Sequence, residues 1–262
     1  MNPLYRIDNG IAHTDPSAAG PWSPDMQHGG APTSLVAWAA ENIATREPMR
    51  VARITIDLLR PVPIAPLEIR SEVVREGRKI QLCSISLLAD GIEVTRASVL
   101  KIRADAAALP EHLGHEPIEL PGPEAGEAPT QLLGGPANAF INGMSLRIVR
   151  GGFRQPGPGA AWFRADRPVV AGVPLSPLTR AAMTGDFCNG VSSVLDFNQW
   201  TFINADLTIS LARMPVGDWI LLDAQTWLGD AGAGLAFAKL GDERGYFGRA
   251  IQSMVIERRS RE

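Results

Sequence analysis

Residues 52–60 read Ala52-Arg53-Ile54-Thr55-Ile56-Asp57-Leu58-Leu59-Arg60, and residues 205–213 read Ala205-Asp206-Leu207-Thr208-Ile209-Ser210-Leu211-Ala212-Arg213. Overlaid at an offset of 153 residues, they coincide at five positions, as Ala, Thr, Ile, Leu and Arg. The same offset carries Arg96-Ala97 onto Arg249-Ala250 with no net drift. A proline follows each stretch, Pro61 in one and Pro215 in the other. One offset recurring over this distance points to an internal duplication, and a repeat decides how the whole fold is assembled.

Working outward, each half contains one helix and a set of strands. Residues 31–46 start with Pro32 near a first helical turn and stay almost wholly apolar from Leu35 to Ala40, which predicts a buried helix. Strands are predicted at 51–60, 67–76, 80–89 and 92–103, rich in Val and Ile, with Asp90-Gly91 as a hairpin turn. The second half predicts strands near 140–149 and 161–166 and a helix near 178–195. Further strands follow at 204–213, 219–228, 234–240 and 247–257. Residues 104–138, with Pro121-Gly122-Pro123 and Gly135-Pro136, read as a linker crossing the surface. The expected division is an N-terminal half at 1–104, a linker at 105–138 and a C-terminal half at 139–262.

Composition limits the function classes. The chain has 262 residues, 45% of them hydrophobic and 20% charged, which is globular rather than disordered. With 25 basic against 28 acidic residues there is no basic field for a nucleic acid. Two cysteines, Cys83 and Cys188, exclude a disulfide framework and fit a reducing, cytoplasmic compartment. No apolar run suits a signal peptide or a membrane span, so no membrane insertion is expected. His112 and His115 have the spacing of a metal pair but lie in the linker without a second cluster, so no metal site is expected. Gly232-Ala233-Gly234 lacks the third glycine and the helix of a dinucleotide site, and no serine-hydrolase elbow is present, so no cofactor is expected.

A buried helix wrapped by an antiparallel sheet, twice in tandem, is an α+β architecture, and it fits a double hotdog. The segments Trp22–Ala40 with Gln27-His28-Gly29-Gly30, Ile54–Arg103, Asp206–Trp219 and Gly245–Arg258 resemble the acyl-CoA thioesterase II family, more closely its thioesterase-like branch with a His-Gly-Gly turn. The resemblance implies hydrolysis of acyl-CoA thioesters and further assembly into a homo-oligomer. It also implies a catalytic trio in the second half: an Asp starting a strand, a hydroxyl in the next long strand, and a Gln in the last. Carried over, these are Asp206, Thr226 and Gln252, with Thr226 open to displacement by one position if its strand bulges.

The repeat tests that trio independently. At the offset of 153, Thr226 falls on Val73 and Gln252 on Val99, so the scaffold does without these polar groups in its other half. A buried Gln must find partners, which a plain structural role would also provide. Asp206 shares a strand face with Thr208 and Ser210, so an exposed strand carboxylate is its alternative reading. His28, Gly29 and Gly30 precede the buried helix, where free N–H groups and the helix dipole suit an oxyanion. The alternative for His28 is a turn histidine packed by Trp22. Some single-hotdog thioesterases with this turn place a catalytic carboxylate on the following helix, but here none precedes Glu41. Arg60 and Arg78, in an Arg-rich first sheet, could meet coenzyme A phosphates or simply face solvent. A non-catalytic acyl-CoA binder remains the runner-up. A dehydratase, which needs a His paired with a carboxylate, comes third, because the sequence shows no partner for His28.

Overall fold

The computed structural model of the chain describes residues 1–104, 116–129, 139–153 and 155–259. Four predicted strands form with the expected bounds: β4 (Leu67–Glu76), β5 (Ile80–Ala89), β6 (Ile92–Arg103) and the later strand over 219–228. Before β4 come β1 (Tyr5–Asp8), β2 (Ile11–Thr14), helix α1 (Gly30–Asn42) and β3 (Met49–Leu58). The second half supplies β7 (Met144–Arg150), β8 (Gly159–Ala165), helices α2 (Pro177–Gly185) and α3 (Cys188–Val191), and β9 (Trp200–Asn204). It ends with β10 (Asp206–Leu211), β11 (Trp219–Leu228), β12 (Ala233–Asp242) and β13 (Gly245–Arg258).

The strands join one antiparallel sheet in the order β1-β2-β4-β5-β6-β3-β10-β13-β12-β11-β8-β7, with β9 alongside β13. Exchanging each first-half strand for its second-half counterpart leaves this order reading the same from either end. Its centre is the β3–β10 seam, where Thr55 faces Thr208 and the two hydroxyls are 3.1 Å apart. Those residues are repeat equivalents, so the seam carries a dyad relating the halves. Ile54 faces Ile209 and Ile56 faces Leu207 in reciprocal fashion. The repeat read in the sequence is therefore a contact as well as a duplication.

Both halves also bulge at the same place. β3 shifts register against β6 between Val51 and Arg53, leaving Ala52 unmatched. The second half pairs Asn204 with Met254 but Thr208 with Ile251, a one-residue shift across Ala205, the repeat equivalent of Ala52. A one-residue shift sends the side chains beyond it to the opposite face.

The sheet wraps α1 and α2, which pack against each other. Ten of the 13 residues of α1 are buried, as its uninterrupted apolar sequence requires. The helix ends at Asn42, short of the predicted Arg46, because the Lys101 ammonium takes the Ile43 carbonyl at 2.6 Å and Gln81 takes that of Ala44 at 2.7 Å. The predicted helix over 178–195 is two helices, broken at Asp186. The β1–β2 hairpin escaped the sequence reading because its strands are only four residues long, although Asn9 and Gly10 (φ 47° and 81°) match the turn made by Asp90 and Gly91 (49° and 76°). Residues 116–129 of the expected linker cross the outer face of the second half, where Ile118 and Leu120, like Trp219 and Tyr246, pack on the cluster of Ala160, Trp162 and Leu221.

One buried ion pair anchors this half. Arg213 forks onto Asp242, with Nη2 2.7 Å from Oδ1, and the Val216 and Arg244 N–H groups donate to the same carboxylate at 2.8 Å. Burial pushes Asp242 up, but the Arg213 guanidinium and those two N–H groups outweigh it and hold the carboxyl below its ordinary value. A lowered folded-state value contributes stability at neutral pH that is lost as pH falls below about 4. Asp242→Asn should cost about 3 kcal/mol at pH 7 by stranding the guanidinium and should flatten the acid limb, read from urea midpoints across that range.

Candidate active site

The break between α2 and α3 builds the site. Ser176 and Thr179 cap α2 reciprocally and Pro177 opens it. The helix runs until Gly185, where a Cβ would stand 2.8 Å from the end of the Ile209 side chain on β10 and would make it shift. Asp186 follows as the cap, 4% exposed, with its carboxylate turned inward. Three N–H donors hold it: Asn204 Nδ2 and Gln252 Nε2 reach Oδ1 at 3.0 Å each, and His28 Nδ1 lies 2.8 Å from Oδ2. Gln252 is fully buried, and its Nε2 also donates to the Asp186 carbonyl at 3.1 Å while its Oε1 accepts the Asn189 N–H at 3.2 Å. A buried carboxylate is tolerated only when donors replace its water, and here they do.

His28 comes from the other half. Its ring is stacked on Phe140 and tilted against Phe187, both centroids 4.6 Å away, so these rings and not Trp22 pack it. The Gly30 N–H also lies 3.1 Å from Nδ1. A nitrogen donating to a carboxylate cannot accept from that amide, so we assign the ring proton to Nδ1, which leaves Nε2 an acceptor. Among the described residues, no hydrogen bond is made by Nε2 or by the Gly29 N–H. The two glycines of the turn have separate steric duties. A Cβ on Gly29 would sit 2.8 Å from both Asp186 carboxylate oxygens, and one on Gly30 would sit 2.9 Å from the Phe140 ring.

The structure does not bring the expected trio together. Asp206 is half-buried and its carboxylate accepts the Ser253 N–H; the Thr226 hydroxyl is 2.8 Å from that of Ser192. Among the described residues, no hydrogen bond links any two of Asp206, Thr226 and Gln252. Alternation along β10 keeps Asp206 on the outer face, and the bulge at Ala205 redirects a different residue. That bulge turns Asn204 inward to Asp186, whereas Asp206 falls on the outer side with Thr208 and Ser210. Gln252 reaches a buried carboxylate, but that of Asp186. His112 and His115 lie outside the described residues. Among those described, no group of three or more His, Cys, Asp or Glu could hold a metal ion.

A cavity of about 510 Å³ opens onto His28, Gly29, Asp186 and Asn204. Its remaining wall is largely apolar, from Trp22, Leu58, Val62, Ile141, Phe153, Phe187, Phe197, Phe202 and Val255, so both halves contribute. Arg60 also lines it, whereas Arg78 does not.

Sequence reasoning missed Asp186 and Asn204. One signal existed: Asp186 is the only charged residue between Arg180 and Asp196, a lone carboxylate in an apolar run. The carboxylate absent from α1 before Glu41 thus arrives from the opposite half.

The chain matches the acyl-CoA thioesterase N-terminal domain over residues 18–102 and the acyl-CoA thioesterase C-terminal domain over residues 117–256. No curated protein sequence matches it. Among solved structures, it is similar to an acyl-CoA thioesterase II from Mycobacterium marinum at 15% identity and a TM-score of 0.68, covering 98% of this chain and 96% of that one. A hot dog fold protein of unknown function from Alicyclobacillus acidocaldarius gives 16% and 0.75, covering 98% and 96%. A candidate thioesterase from Novosphingobium aromaticivorans gives 20% and 0.74, covering 97% and 99%. These likenesses carry the double-hotdog fold, and together the two domain matches span most of the sequence. No helix among the described residues is long and apolar enough to cross a membrane. The chain belongs to the acyl-CoA thioesterase family.

Proposed function

We propose that the protein hydrolyses acyl-CoA thioesters to the free acid and coenzyme A at the His28–Asp186 pair. The carrying observation is a buried carboxylate, contacted by His28, Asn204 and Gln252, facing an apolar cavity shared by the halves. In this reading the acyl chain fills the cavity and a water stands between His28 Nε2 and the thioester carbonyl. Both carboxylate oxygens of Asp186 already accept N–H groups, so the water's proton goes to Nε2 and Asp186 orients the imidazole. The new C–O bond gives a tetrahedral oxyanion facing the unpaired Gly29 N–H at the start of α1. Collapse breaks the C–S bond, and the imidazolium returns its proton to the departing thiolate. Asp206 and Thr226 take no part.

The test is release of coenzyme A from acyl-CoAs of graded chain length, followed with a thiol reagent. Release above the protein-free rate is expected for at least part of the series. None at any length would overturn the reading and leave the acyl-CoA binder.

The His28–Asp186 pair also favours a second reading, because it supplies the partner that a dehydratase needs. Elimination of water from a 3-hydroxyacyl thioester would release no thiol and would yield the 2-enoyl thioester. Product analysis of the same incubations separates the two.

A further inference from the structure

The duplication has kept an arginine in both halves while changing its surroundings. Arg60 and Arg213 occupy the same place at the offset of 153. Arg213 is neutralised by the Asp242 carboxylate, donates to the Gly245 carbonyl at 3.1 Å and lies over the Phe247 ring at 5.5 Å. The position equivalent to Asp242 in the first half is Ala89, which carries no charge. Arg60 is accordingly exposed, and among the described residues its one side-chain hydrogen bond is a long contact of 3.5 Å to the Glu93 carbonyl. Among the described residues, no carboxylate lies within ion-pair distance of it.

Location makes that free guanidinium informative. Arg60 and Asp186 are the only Lys, Arg, Asp or Glu side chains lining the cavity among the described residues. Asp186 is buried in its wall and Arg60 stands exposed at its rim. The nearby Arg259 is otherwise engaged, lying 4.5 Å from the centre of the Phe197 ring and 5.3 Å from that of Trp22. A guanidinium without a counter-ion presents a fork of donors that matches the oxygens of a phosphate ester.

We propose that Arg60 is the anion receptor at the mouth of the cavity, binding a phosphate on the thiol arm of the thioester while the acyl group occupies the apolar interior. This rests on the hydrolysis reading and names the residue that holds the phosphate end of its substrate. The chemistry is shared by the phosphate of a phosphopantetheine arm and by the nucleotide phosphates of coenzyme A.

The experiment compares wild type, Arg60→Ala and Arg60→Glu on one acyl group carried by pantetheine, by 4′-phosphopantetheine and by coenzyme A. Arg60→Ala should raise KM for acyl-CoA about tenfold, the order expected for a lost charge-assisted hydrogen bond, with kcat unchanged. Arg60→Glu should raise it further, and neither variant should alter kcat/KM for the acyl-pantetheine, which has no phosphate. A rise for both phosphate-bearing substrates places the ion on the phosphopantetheine phosphate, and a rise for acyl-CoA alone places it on the nucleotide. An equal rise for all three substrates, or none for acyl-CoA, overturns the proposal. Should wild type turn over no substrate, the hydrolysis reading fails by itself. Calorimetric titration with coenzyme A then decides the receptor: weaker binding by Arg60→Ala supports it and unchanged binding sinks it.

Discussion

Asparagine in place of Asp186 should lower kcat for acyl-CoA hydrolysis by about 10²–10⁴-fold, the scale of losing a carboxylate that holds a histidine base in its working tautomer. Its amide can still accept from one or two of the three N–H donors, but its own NH₂ must face another. The His28 ring then loses the partner that sets its tautomer. Leaving a buried donor unpaired costs about 1–3 kcal/mol, so unfolding midpoints should fall as well. Rates measured well below the midpoint separate the two effects. Asp206→Asn and Thr226→Val are the comparison pair, and both should stay close to wild-type kcat. An inactive Asp206→Asn beside an active Asp186→Asn would return the chemistry to the carboxylate that the resemblance first indicated.

Gly29→Ala should produce the second large loss through one added methyl group. Gly29 has φ −57° and ψ −25°, an ordinary helical conformation that alanine adopts without strain. Its effect is therefore steric. The new Cβ would lie 2.8 Å from both oxygens of Asp186, and that side chain cannot swing aside without giving up Asn204, Gln252 and His28. Displacing a reacting group by about 1 Å can cost about 10²-fold in rate, and a loss of that order is expected with the fold retained. The readout is kcat together with far-ultraviolet circular dichroism. An active Gly29→Ala enzyme would show that the carboxylate has room to move and that the tight turn is incidental to function.

The sheet was legible because its signals are local. Val and Ile runs, Asp90-Gly91 and the 153-residue offset each lie within a few residues or at one fixed spacing. The first-half strands β4, β5 and β6 accordingly fall where they were expected. The site was less legible because three long-range events decide it. A one-residue bulge at Ala205 turns Asn204 inward, where period-two alternation continued from β10 would leave it outside beside Asp206. A break after Gly185 turns a predicted helical interior into a cap that carries the carboxylate. His28 and Asp186 are 158 positions apart in sequence, yet their side chains lie 2.8 Å apart, and no spacing rule links residues of opposite halves. Gln252 could be singled out because a buried amide on an apolar strand face is locally anomalous. Its partner was beyond sequence reasoning.

The matched bulges at Ala52 and Ala205 show what joining the halves in one chain permits. Under the repeat, Asn204 corresponds to Val51 and Gln252 to Val99. Asp186, which follows α2, corresponds to Ala39 when the two helices are aligned at their first residues. Val51, Val99 and Ala39 are buried in the hydrophobic core, so apolar side chains stand where the other half places the polar groups of the site. In a dimer of identical units, every substitution appears on both sides of the axis, and neither end can be altered alone. A single polypeptide removes that constraint: one end is free to specialise in chemistry while the equivalent positions of the other go on packing the core.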